Sequence, residues 1–526
     1  MSVTPSYPGL YIQEIPSNSH AIVPAPTSIA AFVGYSHPYK TKAFNDAIEL
    51  FSFSDFETYF GGLFTSGLTD ASLPRAVYQF FLNGGSTAWV YGLQPGLFNA
   101  TGAIISRLGL TATAITGTAT VTGGGIVFTA LEPTDVVPMQ VSIINARNSG
   151  ATFDVVVTYG TRVETFRGVN IDPATTALPD AVINGASQLV KVAKSGANWG
   201  TVIANQQLSL SLTAAQLTGL STGYSGADFL PAFAQNSSLD NVEIFNLLMT
   251  PGVTDNEVVS AAMAFAEYKR AFAIIDPPPQ APAFGISPPA PIDQWMAGLG
   301  GPTGPSLPRS QNAALYFPYL NSTDPITGRV IPMAPSGFVA GIYAGTDASR
   351  GVWKAPAGLA TTVLNTTGPV PSGIMNDPQQ GVLNHDSINC LRSFSGIGTV
   401  VWGARTTVAN NQAFAQSMYV PVRRMTLFIE QTLLANMRWV VFEPNDEPLW
   451  AAIRSSIEAF LLSLFRQGAL QGSTPSQAFQ VRCDANTTTP TDQQNGIVNI
   501  VVAFAPLKPA EFVIIQIAQL AGQTAS

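Results

Sequence analysis

Cysteine and histidine, the residues most often used in metal sites and nucleophilic catalysis, are scarce in this sequence. Its two cysteines, Cys390 and Cys483, are too few for a disulfide framework or a metal cluster, so we expect two buried thiols. The three histidines, His20, His37 and His385, form no H-E-x-x-H motif, and the chain has no C-x-x-C pair. These absences predict a protein without a bound metal.

Charged residues are also rare, at 11% of 526 residues against roughly 25% in ordinary soluble proteins. The net charge is −8 and no basic block occurs, so nucleic acid is a poor partner. The glycine run at 123–125 lacks the Lys-Ser/Thr of a P-loop, so we expect no nucleotide and no other cofactor. A weakly charged surface on so long a chain indicates that copies of the protein cover it, although a neutral secreted or viral protein fits the composition too.

Long apolar runs are missing as well. No uninterrupted stretch reaches about 18 apolar residues, so the sequence predicts no transmembrane segment and no direct membrane insertion. The first residues lack a basic stretch followed by an apolar one, which argues against a Sec signal.

Both ends of the chain instead carry a short β-prone segment flanked by proline. The first is Leu10-Tyr11-Ile12-Gln13-Glu14-Ile15 and the second is Phe512-Val513-Ile514-Ile515-Gln516-Ile517. An unpaired apolar strand is an aggregation hazard, so each segment needs a partner. The partner is either a sheet of the same subunit or, by β-augmentation, a sheet of a neighbour. Flexible fraying is a third reading, which the apolar character of the second segment disfavours.

Between these ends, an α/β pattern flanks a region of different composition. Strands are predicted at 29–34 and 88–93, and a capping box at 54–57 predicts a helix start. Short Gly/Thr/Val-rich runs from 96 to 238 are typical of an inserted, mostly antiparallel β region. A strand, a helix with a capping box at 254–257 and a strand at 271–276 then predict a parallel pair.

Two helices are predicted in the last third of the chain, at 421–436 and 447–466. The second has an apolar stripe at helical spacing, formed by Leu449, Ile453, Ile457, Phe460, Leu461 and Leu464. Its opposite face carries Arg454 and Glu458, which are spaced as an i,i+4 ion pair. Arg423 and Arg424 stand at the start of the first helix, where the helix dipole disfavours cations, so we expect them to reach carboxylates such as Asp446 or Glu447.

Several long segments together resemble one family. PSYPGLYIQEIPSNSHAIVPAPTSIAAFVGYS, LLMTPGVTD, AFAIIDPP, FEPNDEPLWAAIRSSIEAFLLSLFRQGALQG and APLKPAEFVIIQI are similar, in this order, to segments of contractile tail sheath proteins of myophages and phage-tail-like injection systems. The resemblance covers about 1–95 and 240–520, and the segment between them matches nothing we can name.

The resemblance implies an α/β and α+β multidomain fold with extended terminal arms. The expected parts are an N-terminal arm (1–26), the first part of an inner α/β sheath core (27–95), a β-rich inserted outer domain (96–240), a subtilisin-like but non-catalytic α/β region (241–400), a tube-facing C-terminal domain (401–508) and a C-terminal arm (509–526).

The function implied by the resemblance is mechanical. The subunit would polymerise helically around an inner tube protein and contract to drive that tube through a target envelope, while strand exchange of the arms holds the lattice. Further partners would be baseplate and tail terminator or cap proteins. The particle, a virion tail or a phage-tail-like particle, would assemble in the cytoplasm. Glu447, Arg454 and Glu458 are the candidate tube-facing residues, although an ordinary solvated helix face fits them equally well.

Two alternatives remain at this point. One is a capsid or filament protein that never contracts. The other is a serine hydrolase, because Asp276, His385 and Ser387 or Ser393 follow the subtilisin order. No nucleophile turn of the G-x-S-x-G kind accompanies these residues, so we predict no enzymatic activity.

Overall fold

The computed structural model divides into two compact units. It describes residues 21–95, 97–99, 104–106, 118–120, 126–194, 199, 206–210, 220–221, 224–279, 281–284, 291–297 and 308–517. The larger unit comprises Pro26–Arg424 and the smaller one Met1–Ala25 with Met425–Ser526. The larger unit therefore includes residues 401–424, which the sequence analysis assigned to the C-terminal domain. It also contains the predicted parts 27–95, 96–240 and 241–400 without dividing them.

Strands and helices alternate along the larger unit. After residue 420, the described part of the chain contains more helices than strands. The described strands are β1 (Ala30–Tyr35), β2 (Ala47–Leu50), β3 (Ala88–Leu93), β4 (Leu97–Asn99), β5 (Ile104–Ser106), β6 (Thr118–Thr120), β7 (Ile126–Ala130), β8 (Met139–Arg147), β9 (Thr152–Tyr159), β10 (Arg162–Asn170), β11 (Val190–Lys194), β12 (Gln206–Ser209), β13 (Leu220–Ser221), β14 (Leu247–Met249), β15 (Phe272–Ile275), β16 (Ala313–Phe317), β17 (Leu320–Thr323), β18 (Val330–Met333), β19 (Gly368–Pro369), β20 (Ile388–Phe394), β21 (Gly398–Val401), β22 (Phe479–Arg482) and β23 (Val501–Phe504). The described α-helices are α1 (Phe53–Phe60), α2 (Ser72–Leu82), α3 (Pro179–Ile183), α4 (Asn256–Tyr268), α5 (Ile292–Met296), α6 (Ser336–Arg350), α7 (Asp377–His385), α8 (Val420–Asn436), α9 (Glu447–Arg466), α10 (Pro475–Ala478) and α11 (Pro490–Gln494).

An eight-stranded sheet in the order β2-β3-β1-β14-β15-β16-β20-β21 forms the centre of the larger unit. The six inner strands are parallel, and the two edge strands run antiparallel to their neighbours. All six residues of β1 are buried, as expected for a strand covered on both faces. The predicted parallel pairing of the strands on either side of the 256–268 helix is confirmed by the contact of β14 with β15.

Small residues allow two helices to pack closely beside this sheet. A Cβ atom at Gly337 would lie 2.4 Å from the carbonyl oxygen of Ala76, and one at Gly341 would lie 2.7 Å from that of Phe80. These glycines are four residues apart and share one face of α6, so α2 can approach the α6 backbone directly. The helix start predicted at Ser54 was wrong by two residues, because the Ser52 hydroxyl accepts the capping bond from the Asp55 amide.

The region between β3 and β14 forms separate antiparallel sheets, which include β10-β9-β8-β12 and β11-β7-β6. They share a core of their own in which Phe128, Val141, Phe153 and Val155 are fully buried. Glu132 joins this region to the loop after β1. Its buried carboxylate contacts His37 Nε2 (3.0 Å), Lys40 Nζ (2.5 Å) and Arg162 Nη2 (2.6 Å).

Candidate assembly surface

The N-terminal segment packs on helix α8 in the smaller unit. The Val23 amide donates to Asn436 Oδ1 (2.9 Å), and Asn436 Nδ2 donates back to the Val23 carbonyl (2.8 Å). The Ala25 amide donates to Thr432 Oγ1 at 3.1 Å. The chain that leads to the N-terminal arm and the chain that leads to the C-terminal arm therefore belong to one unit. The predicted strand Leu10–Ile15 lies outside the described residues.

Helix α9 is the main packing element of the smaller unit, and its predicted bounds and buried stripe are confirmed. Leu449, Ile453, Ile457, Phe460, Leu461 and Leu464 are all buried. The ring of Phe460 lies 6.1 Å from that of Phe428 on α8. By length and composition α9 could also cross a membrane, a test that core helices of soluble proteins pass as well.

The ion pair on the polar face of α9 differs from the predicted one. Arg454 Nη2 donates to Glu447 Oε1 at 2.6 Å, one of its terminal nitrogens donates to the Cys483 carbonyl, and the i,i+4 pair with Glu458 is not formed. An arginine placed N-terminal to its glutamate is the less favourable order for an i,i+4 pair, and the Arg454 guanidinium bonds instead to Glu447, seven residues earlier. Hydrogen bonding to Glu447 raises the pKa of Arg454. Glu447 and Glu458 are exposed and Arg454 is partly buried.

A two-stranded antiparallel sheet, β22-β23, contacts α9 through β22. In the described part of the chain each of its strands pairs with one other strand, so each leaves an edge open. A two-stranded sheet is marginally stable alone and gains from further strands.

The C-terminal segment after this sheet is exposed and carries large apolar side chains. Residues 511–517 have no strand or helix assignment, and the exposed fractions of the large apolar side chains are 74% for Phe512, 78% for Val513, 86% for Ile514, 80% for Ile515 and 91% for Ile517. Gln516 is exposed as well. The predicted C-terminal strand is therefore not paired within its own described chain.

The two arginines at the start of α8 reach different groups from those expected. Arg424 is buried and forms a bidentate pair with Asp347, with Nη1 2.9 Å from Oδ1 and Nη2 2.6 Å from Oδ2. Arg423 Nε donates to Asn312 Oδ1 at 2.7 Å. The prediction of a carboxylate partner was correct for Arg424, but the proposed partners Asp446 and Glu447 were wrong.

The residues weighed for a serine hydrolase have separate roles. Asp276 accepts hydrogen bonds from the amides of Gly252 and Ser336 and from the Ser336 hydroxyl (2.6 Å), and burial raises its pKa to about 6. His385 is exposed at the end of α7 and contacts Asp386. The Ser393 hydroxyl bonds to Thr399. Among the described residues, no histidine contacts a serine hydroxyl and no metal-ligand cluster occurs.

Two features of this surface carry no signal that we could read from the sequence. Phe442 is fully exposed with a positive φ of 72°. Asn445 bonds to both Trp450 and the Ile497 carbonyl, and so connects the loop before α9 to the segment before β23.

Cys390 and Cys483 are buried free thiols, as predicted.

Open strand edges and an exposed apolar tail are features of a protein that builds an assembly. Comparison with known proteins identifies which kind. The phage tail sheath protein central domain matches residues 222–407, and the phage tail sheath C-terminal domain matches residues 411–519, together more than half of the chain. The chain therefore belongs to the contractile tail sheath family, which confirms the resemblance seen in the sequence.

Individual relatives agree with this assignment. A prophage major tail sheath protein of Pseudomonas aeruginosa is 24% identical over 52% of this chain, and the tail sheath protein of Vibrio phage KVP40 is 23% identical over 42% of it. The alignments span 65% and 32% of the lengths of those two relatives.

Solved sheath structures share the fold over almost the whole chain. The contracted helical sheath of the anti-feeding prophage is 22% identical, covers 98% of this chain and 100% of its own, and has a TM-score of 0.56. The contracted PVC sheath of an extracellular contractile injection system is 21% identical, covers 98% of this chain and 99% of its own, and has the same TM-score. The mixed α/β architecture is therefore that of sheath proteins.

Proposed function

We propose that this protein is the structural subunit of a contractile sheath. It polymerises helically around an inner tube protein, contacts baseplate and terminator or cap proteins, and contracts to drive the tube through a target envelope. The terminal arms exchange strands between neighbours, so the lattice stays connected while subunits move. The particle assembles in the cytoplasm, and the protein catalyses no reaction. Membership of the sheath family and the fold shared with contracted sheaths support this proposal.

The observation that carries the proposal is the exposed C-terminal segment Phe512–Ile517. The segment exposes five large apolar side chains, each to at least 74%. Their exposure to water costs free energy, which is recovered when another protein surface covers them. Residues 512–517 have no strand or helix assignment, so their backbone is available to add to a sheet edge. The open edges of β22 and β23 are suitable acceptors in a neighbouring subunit.

The parts of the chain are proposed to divide this work. The smaller unit supplies the arms, the acceptor sheet and the tube-facing helix α9. The eight-stranded sheet of the larger unit supplies a subtilisin-like but non-catalytic scaffold, and the antiparallel sheets between β3 and β14 form an outer domain.

We expect proline in the C-terminal arm to block polymerisation without unfolding the protein. Proline removes an amide hydrogen and disrupts a strand interior. Because adjacent amides of a strand point to opposite sides, Val513→Pro and Ile514→Pro are made singly and together. The double variant should sediment as a folded protomer under conditions in which the unmodified protein forms cylinders, visible by negative-stain electron microscopy.

The matched control is Val513→Ala with Ile514→Ala, which keeps both amides and should weaken polymerisation less than proline does. Deleting residues 1–18 tests the N-terminal arm, since the contacts of Val23 and Ala25 with α8 remain. Normal cylinders from the double proline variant would refute exchange of the C-terminal arm. Cylinders of two widths indicate contraction, whereas a single narrow form indicates a non-contractile filament.

We expect charge reversal on α9 to weaken binding to the tube and leave self-assembly intact. Arg454→Glu combined with Glu458→Lys changes two side chains of the polar face. The pair with the exposed Glu447 contributes about 0–1 kcal/mol to stability, and the bond from Arg454 to the Cys483 carbonyl is lost as well. Cosedimentation with purified tube protein measures the effect, and Lys191→Glu, an exposed reversal on β11, is the control. Unchanged cosedimentation would remove α9 as the tube-facing helix.

A further inference from the structure

Phe442 combines two unfavourable features at one position of the smaller unit. Its side chain is fully exposed, and that of the preceding Val441 is 62% exposed. Its φ of 72° is in the left-handed region, which bulky residues adopt rarely and which glycine would adopt without strain. Backbone strain of this kind persists where the surroundings impose it and is concentrated at functional positions.

Hydrogen bonds hold the Phe442 loop in place beside the start of the sheet. The Val441 amide donates to the Arg438 carbonyl and the Glu443 amide to the Val440 carbonyl, both at 3.3 Å. Three residues beyond Phe442, Asn445 Nδ2 donates to the Ile497 carbonyl at 3.0 Å. Ile497 and the β23 residue Val501 are themselves 45% and 51% exposed. Exposed apolar side chains thus occur both on the loop and on the segment that leads into a strand with an open edge.

The charges near the two apolar surfaces are complementary. Asp446 and Glu447 are exposed just after Phe442, and the Asp446 side chain makes no capping bond to α9. Lys508 is exposed just before the tail and is the last cation of the sequence, since no Lys or Arg follows it and the preceding one is Arg482. Glu511 lies between Lys508 and the tail, so the segment as a whole is neutral and Lys508 is the group that can face the acidic loop. A contact of this kind between two different surfaces of the same chain is heterologous and propagates into a helical polymer.

We propose that Phe442 is an anchor on which the Phe512–Ile517 tail of a second copy packs, with Lys508 of that copy facing Asp446. The inference rests on the proposed exchange of the C-terminal arm and adds the residue that receives it. Strain and exposure at Phe442 disfavour the free protomer, and coverage by the tail removes the exposure. Anchors of this kind are aromatic and dominate the binding energy of an interface.

Substitutions of Phe442 distinguish the effect of its exposed side chain from the effect of its strained backbone. Phe442→Gly removes both the ring and the strain, so we expect an unfolding temperature equal to or a few degrees above that of the unmodified protein. The concentration needed for polymerisation of the purified chain, measured by sedimentation without tube protein, should rise more than about tenfold. Phe442→Tyr keeps an aromatic ring and should polymerise nearly normally, and Ile374→Gly, a 68% exposed residue of the larger unit, is the control.

A charge exchange tests which molecule covers the loop. Lys508→Glu should weaken polymerisation, and combining it with Asp446→Lys in the same chain should restore it, because every subunit then carries the reversed pair. Phe442→Gly that polymerises at the normal concentration would overturn the inference, and so would a defect seen only when tube protein is present. If Val513→Pro with Ile514→Pro blocks polymerisation while Phe442→Gly does not, arm exchange stands and the anchor alone is refuted.

Discussion

Replacing Arg424 by alanine is expected to lower the free energy of unfolding by about 3–5 kcal/mol, because it leaves the Asp347 carboxylate buried without its counter-ion. The two side chains are only 2% and 1% exposed. Arg424 Nη2 also donates to the Thr27 carbonyl (2.8 Å), and the guanidinium lies 4.8 Å from the centre of the Tyr343 ring. One side chain therefore joins three separate parts of the chain within the larger unit.

The midpoint of urea unfolding of the protomer measures this loss. Arg424→Lys should recover only part of it, because an ammonium cannot form the bidentate pair. Arg350→Ala, which removes an exposed arginine from the end of α6, should change stability by less than about 1 kcal/mol. The double variant Arg424→Met with Asp347→Leu should lose less stability than Arg424→Ala, because removing both charges leaves no unpaired carboxylate. An Arg424→Ala protein as stable as the Arg350→Ala control would contradict this account.

The elements that the sequence predicted well are those set by local patterns. Helix α9 begins and ends where its apolar period and flanking residues indicate, and β3 has the predicted bounds because an apolar run there follows Gly84-Gly85 and stops before Gln94-Pro95. Each pattern is contained within about 20 residues. The helix start at Ser52 was missed by two residues because two serines, both followed by acidic residues, offered competing caps.

The contacts that were wrong or unforeseen depend on distant parts of the chain or on side-chain direction. Arg424 and Asp347 are 77 residues apart in sequence, and an arginine at a helix start does not indicate which carboxylate the fold will bring to it. Arg454 was assigned the wrong partner because i,i+4 spacing alone does not show that arginine N-terminal to glutamate is the less favourable order, and Glu447 is available seven residues earlier. The strain at Phe442 follows from the turns on either side and has no counterpart in composition.

Glu132 is the second residue for which a large loss is expected. Glu132→Gln keeps the shape of the side chain but leaves the cations Lys40 and Arg162 without their carboxylate, at a cost of about 3–5 kcal/mol. The Tyr39 amide donates to His37 Nδ1, so His37 Nε2 carries hydrogen and donates to Glu132. The variant should also admit proteases to 126–194 at lower urea concentrations, because this cluster anchors that region to the loop after β1.

The same cluster predicts that stability decreases as the pH falls. Burial disfavours the charged form of Glu132, but His37, Lys40 and Arg162 outweigh it and hold the pKa of Glu132 at about 2, below its ordinary 4.5. Burial lowers the pKa of His37 from 6.5. In both cases the unfolded chain binds the proton first, so stability falls as the pH drops, from 6.5 downwards for His37 and between 4.5 and 2 for Glu132.

Unfolding temperatures measured from pH 7.5 to pH 3 in Glu132→Gln and in Glu49→Gln, an exposed carboxylate on β2, separate the cluster from general acid effects. The Glu49 variant should lose stability at low pH as the unmodified protein does. The Glu132 variant should start less stable at pH 7.5 and lose less below pH 4.5, because its largest acid-sensitive group is gone. Parallel curves for the two variants would show that the buried charges do not control how the β-rich region is held.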